Sequence, residues 1–145
     1  ITGDALARVP LDTALVSRLR ATYDAVRVQE LRLAETFYTR LFAIAPHLRG
    51  MFPSDIRGQA AKLTAALDAV VHNFEDPAAN VAALSQLGRR HAGYGVKPEH
   101  YAIVVDLLIA SMREVGGDAL DESRLQEWRW ALRLISQQML AAGDR

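Results

Sequence analysis

No cysteine occurs among the 145 residues. That absence excludes disulfides, iron–sulfur clusters and thiolate zinc sites together. An excess charge of either sign is also missing: 17 Lys plus Arg stand against 17 Asp plus Glu, for a formal net charge of zero. A phosphate-binding surface needs a basic footprint, so neither nucleic acid nor an anionic membrane is an expected partner. Long apolar runs are lacking. The longest, Tyr101–Met112, is split by Asp106 and falls short of the ~20 residues of a membrane span. No signal-peptide pattern opens at Ile1, so the cytoplasm is the expected compartment. The first residue is Ile rather than Met, which fits a processed, trimmed or excised piece. Strand-like alternation, internal repeats and low-complexity tracts are absent from the sequence as well.

Helical periodicity fills the space those absences leave. Half the residues are hydrophobic, enough for a core in a single domain over 1–145, with its body at about 11–142. Leu11, Leu15, Leu19 and Tyr23 recur at four-residue intervals behind Pro10 and a capping Asp12. A second helix is predicted over about Val28–Phe42, with Leu31, Leu33, Phe37, Tyr38 and Leu41 apolar. Pro46 starts a short helical turn ending near Phe52, and Pro53-Ser54-Asp55 makes a corner. Long helices follow at about Ile56–Phe74, from Pro77 to His91, from Pro98 to Val115, and from Glu122 to Ala142 behind a cap at Asp121. A Gly116-Gly117 break separates the last two. The predicted class is all-α, with six to eight helices.

The most informative stretch is LGRRHAGYGVKPEHY, Leu87–Tyr101. His91 stands near the end of an apolar-periodic segment, with Leu87 one turn earlier on the same face. Gly93 and Gly95 stop that helix, Pro98 starts the next, and Tyr101 lies one turn inside it. A lone histidine is ordinarily a surface or core residue that ligates nothing. Upstream, FYTRLFAIAPHLRGMF places Tyr38, Pro46 and Phe52 in order. Gln59 and Leu63 are four apart, hence on one helix face. Taken residue by residue, Phe52 reads as core, Gln59 as an exposed polar residue and Lys62 as a solvated lysine. His47, His72 and His100 read as surface residues.

Together these motifs resemble the globin family, and most closely its bacterial flavohaemoglobin-like branch. The resemblance runs from about Leu11 to Ala142. It implies a globin fold around a haem pocket. The cofactor would be haem b (iron protoporphyrin IX), held non-covalently because no cysteine is present for c-type attachment. His91 would be the iron ligand, with Leu87 and Val96 beside it. Phe52, Lys62 and Leu63 would line the pocket, Lys62 reaching a propionate. Tyr38 and Gln59 would stabilise the bound gas; a one-residue slip would bring Phe37 in place of Tyr38, and a register slip on the third long helix would bring Ala60 or Lys62 in place of Gln59. Tyr101 would belong to a histidine–tyrosine–glutamate network. Its glutamate has no clear counterpart in the last helix, which carries Ser136, Gln137 and Gln138 instead. The small ligands implied are O2, CO and NO. Three functions compete: a gas-binding haem protein capable of NO dioxygenation with an external reductase, a gas-sensor module excised from a longer signalling protein, and a haemless globin-fold interaction module.

Overall fold

The computed structural model describes residues 13–74 and 76–143. Among them are six α-helices and two 3-10 segments, with no strand. Pro10, Leu11 and Asp12, and with them the predicted first cap, lie outside the described residues. Helix α1 spans Thr13–Arg27, α2 Glu30–Ile44, α3 Ile56–His72, α4 Pro77–Gly93, α5 Pro98–Gly116 and α6 Glu122–Gly143. One 3-10 segment, Pro46–Met51, links α2 to α3; the other, Gly117–Ala119, links α5 to α6.

Local chemistry places most of the ends. Asp55, Asp76 and Asp121 each accept a backbone N–H three residues on, from Gly58 at 3.2 Å, Ala79 at 3.1 Å and Arg124 at 2.9 Å. Each satisfies one orphan donor of a first helical turn. At the end of α4, Gly95 adopts φ +84°. The Val96 N–H then reaches the His91 carbonyl at 3.0 Å, and the Gly95 N–H reaches the Ala92 carbonyl at 3.0 Å. This is the Schellman arrangement, which needs a left-handed residue at that point and favours glycine there.

Three predicted details shift. The buried face of α1 is Val16, Leu19, Thr22, Tyr23 and Val26, so Leu15 sits at its margin, half-buried. Helix α2 begins at Glu30, and Val28 and Leu31 are 84% and 52% exposed rather than core. Helix α3 stops at His72, where the Asn73 N–H closes on the Ala69 carbonyl at 3.1 Å.

The core joins both halves of the chain. Trp128 on α6 is 1% exposed, and its indole N–H donates to Thr22 Oγ1 on α1 at 2.7 Å. Its ring meets Tyr23 at 5.9 Å and Phe74 at 6.1 Å. A buried indole needs such a partner for its one donor. Helix α3 packs chiefly on α2, whereas α4 packs chiefly on α6. The two consecutive helices are thus braced against different neighbours. The α4–α6 approach is backbone-close: a Cβ on Gly88 would lie 2.2 Å from the Met139 carbonyl oxygen. No helix among the described residues is long and apolar enough to cross a membrane.

Candidate functional site

Tyr38 and Phe37 both face inward from α2, at 4% and 3% exposure. Tyr38 stacks on Phe42 at 5.9 Å and meets Phe52 edge-on at 5.5 Å. Phe42 and Phe52 close the triangle at 5.5 Å, and Phe37 packs on another edge of Tyr38 at 5.0 Å. Offset and edge-on pairs of this kind suit the ring quadrupoles. Phe52 reaches the group because Pro46 opens the 3-10 segment that turns the chain, and extended backbone follows at Phe52.

Gln59 is the polar side chain that acts on the Tyr38 hydroxyl. Burial pushes the Tyr38 phenol above its ordinary range, and the Gln59 bond partly offsets that rise. An amide N–H directed at the phenol oxygen would favour the phenolate in this way and leave the phenol proton to donate elsewhere. Gln59 is half-buried, Ala60 is fully enclosed, and Lys62 is exposed. Leu63 is half-buried and packs against the core.

On α4 the His91 ring is half-buried. Its Nδ1 lies 2.8 Å from the Leu87 carbonyl oxygen. A carbonyl only accepts, so Nδ1 carries the proton, and in a neutral ring Nε2 keeps its lone pair. That is the tautomer a metal ligand requires. The Tyr101 ring lies 6.3 Å from that of His91, tilted by 37°. Tyr101 is 8% exposed, and burial raises its phenol above the ordinary range. The histidine–tyrosine–glutamate network is not assembled among the described residues. The Nδ1 proton goes to Leu87, Ser136 bonds the Leu132 carbonyl at 2.8 Å, and Gln137 is exposed. Gln138 is buried with its Oε1 unpartnered. Leu87 and Val96 are half-buried and packed against the core.

The donor set fits a haem. An imidazole whose Nδ1 faces a carbonyl, leaving Nε2 for a metal, stands on a capped helix, and a tyrosine hydroxyl with an amide beside it sits in an aromatic setting. Phe42, Phe52, Leu63, Leu87, Val96, Ile103 and Val104 touch the core yet are incompletely covered. A flat apolar ligand could cover such side chains. His91 would hold the iron, and the half-exposed apolar residues would face the porphyrin.

The remaining histidines fall mostly where the sequence suggests. His47 and His72 are exposed. His100 is half-buried and does local work: its Nδ1 accepts the Lys97 N–H at 3.0 Å at the start of α5. Sequence reasoning missed three residues around the site. Gly88 permits the close approach of α6. Tyr94, 67% exposed, lies with its ring 6.4 Å from that of His91. Arg49 sits over the Phe42 ring at 5.1 Å. Gly88 and the Arg49–Phe42 contact depend on partners in other elements, whereas the Tyr94 contact lies within one helix end and carries no distinguishing sequence pattern.

The globin family model matches residues 35–139. A flavohemoprotein of Rhizobium meliloti is 34% identical over 116 residues, covering 78% of this chain and 29% of its own length. The chain thus spans about three-tenths of such curated relatives. An engineered carbene transferase from Rhodothermus marinus, described as a candidate nitric oxide dioxygenase, superposes with a TM-score of 0.82 at 27% identity, covering 92% of this chain and 94% of that one. A hexacoordinated heme protein from an anhydrobiotic tardigrade reaches a TM-score of 0.87 at 13% identity over 95% and 98% of the two chains, which speaks for the fold alone. With the helical architecture and these matches together, the chain belongs to the globin family.

Proposed function

We propose that this chain is one globin domain that binds haem b through His91 and holds O2, CO or NO on the Tyr38–Gln59 side. The single observation that carries the reading is the buried Tyr38 hydroxyl, packed among Phe42 and Phe52 with Gln59 acting on it. On this reading a hydroxyl proton, backed by an amide donor, stands in an apolar setting where hydrogen bonds are stronger than in water. Haem iron, when bound, supplies the open coordination position at which a diatomic gas sits. The chain's residues do the rest. His91, oriented by the Leu87 carbonyl, donates its Nε2 lone pair. Tyr38 donates its proton to a bound gas carrying partial negative charge, and Gln59 donates to Tyr38. The aromatic wall excludes water.

Such a pocket retains O2 and discriminates it from CO, which accepts hydrogen bonds less well. Slow O2 release suits NO dioxygenation, in which NO, O2 and one electron give nitrate. An external reductase would supply the electron, and the cytoplasm is the fitting compartment. The flavohemoprotein relatives and the neighbour described as a candidate nitric oxide dioxygenase support this direction. Lys62, exposed on α3, would reach a propionate at the pocket mouth. The deciding experiment is the visible spectrum of purified protein before and after reduction and CO addition. A Soret band that shifts on CO binding is expected. Protein that takes up no added haem overturns the reading in favour of a haemless interaction module.

A further inference from the structure

Arg49 lies on the 3-10 segment between α2 and α3, and the proposed function gives it no role. Its guanidinium carbon sits 5.1 Å from the centre of the Phe42 ring, within cation–π range. From there Nη1 donates to the Pro53 carbonyl at 3.0 Å and the Phe52 carbonyl at 3.4 Å, and Nη2 donates to the Ser54 carbonyl at 3.2 Å. Three consecutive carbonyls of a non-helical corner therefore converge on one planar cation. A guanidinium can stack on a ring and fork across acceptors at once; a compact ammonium cannot. Among the described residues Arg49 makes no ion pair with a carboxylate. Its polar contacts go to this corner alone.

The corner matters for what lies on either side of it. Phe42 and Phe52 are rings packed on Tyr38. One residue past Ser54, Asp55 caps α3 through the Gly58 N–H, and the Gln59 N–H closes on the Asp55 carbonyl at 3.3 Å. Arg49 thus holds the aromatic wall beside Tyr38 and the start of the helix that carries Gln59.

We infer that Arg49 is a positioning residue that fixes the Tyr38–Gln59 pair, and so sets how uniformly a gas ligand is held there. The inference rests on the haem-globin reading for its ligand half. Its structural half concerns the corner and can be measured without haem.

The test compares the parent with Arg49→Lys and Arg49→Met. The first keeps the charge without the planar fork; the second keeps an apolar stem without donors. Amide hydrogen exchange is followed at Phe52, Gly58 and Gln59, whose N–H groups are all bonded in this corner. Exchange about tenfold faster or more is expected in both variants. In CO-loaded protein the C–O stretch should be one dominant band in the parent and broaden or split in both variants. Lysine should not rescue it. Unchanged exchange in both variants overturns the inference. Faster exchange with an unaltered C–O band also overturns it, since the corner would then loosen without disturbing the pair. If the parent takes up no haem, the haem reading fails by itself, and exchange at Gln59 still decides the clamp. Should Arg49→Met not fold, Arg49→Lys carries the test.

Discussion

His91 donates its Nδ1 proton to the carbonyl of Leu87, 2.8 Å away and one turn earlier on the same helix. The acceptor is a neutral backbone group. It fixes the tautomer and ring orientation without adding the negative charge that a carboxylate partner would bring. His91 is thereby oriented with Nε2 as the ring nitrogen available to a metal. Replacing it by Gly should abolish stable haem uptake, and added imidazole should restore a spectrum of histidine type. The reduced, gas-free parent should be five-coordinate, because Tyr38 and Gln59 are poor competitors for ferrous iron. A low-spin, bis-histidyl reduced spectrum at neutral pH contradicts this.

Losing the Tyr38 hydroxyl should speed O2 release. A hydrogen bond to a charged acceptor contributes about 1.5–3 kcal/mol, and each ~1.4 kcal/mol is tenfold. Tyr38→Phe should therefore accelerate O2 dissociation roughly ten- to a hundredfold on those magnitudes. Gln59→Leu should act in the same direction and more weakly, because Gln59 works through Tyr38. CO dissociation should respond much less in both. Stopped-flow dissociation rates make the comparison. An unchanged O2 rate in Tyr38→Phe would mean that another group holds the gas.

The α4–α6 contact should be intolerant of a single methyl group. At Gly88 a Cβ would overlap the Met139 backbone, with its carbonyl oxygen at 2.2 Å and its Cα at 2.7 Å. Backbone cannot rotate away, so Gly88→Ala must separate the helices. A loss of about 1–3 kcal/mol is expected, as for overpacked cores. Gly50→Ala, where a Cβ meets nothing within 4 Å, is the matched control. Urea unfolding of the haem-free proteins gives the two values. Equal stability of the two variants overturns the close approach.

Alkaline pH should weaken the fold through two tyrosines. Burial raises the phenols of Tyr38 and Tyr101 above their ordinary value of 10.0. Between the unfolded and folded values the native state binds more protons than the unfolded chain, so stability falls as pH rises. Below about pH 10 this contribution is fully present; above it, it is progressively lost. The unfolding free energy of Tyr38→Phe should fall less steeply over that alkaline window, with Tyr101 supplying part of what remains. An identical slope in Tyr38→Phe and the parent would falsify the assignment to Tyr38.

The sequence by itself determined the class of every element and most of the helix ends. Asp55, Asp76, Asp121, Pro46 and Gly95 act through bonds or dihedral angles within a few residues, so their effects are written locally. The setting of His91 was legible for the same reason: Leu87 is one turn away, and Gly95 ends the helix. The family resemblance rested on the same short-range spacing. What the tertiary structure decided is every pairing between elements. Tyr38 and Phe37 are equally apolar-facing on α2, and only the seating of α3 brings Gln59 to the Tyr38 hydroxyl. Gly88 looks like any helical glycine until α6 lies against it. Arg49 looks like a surface cation until the chain turns and three carbonyls come round to it. Helix-end chemistry depends on neighbours in sequence. Side-chain pairing depends on the angle and depth at which helices meet, and those are set by the packing of the whole core.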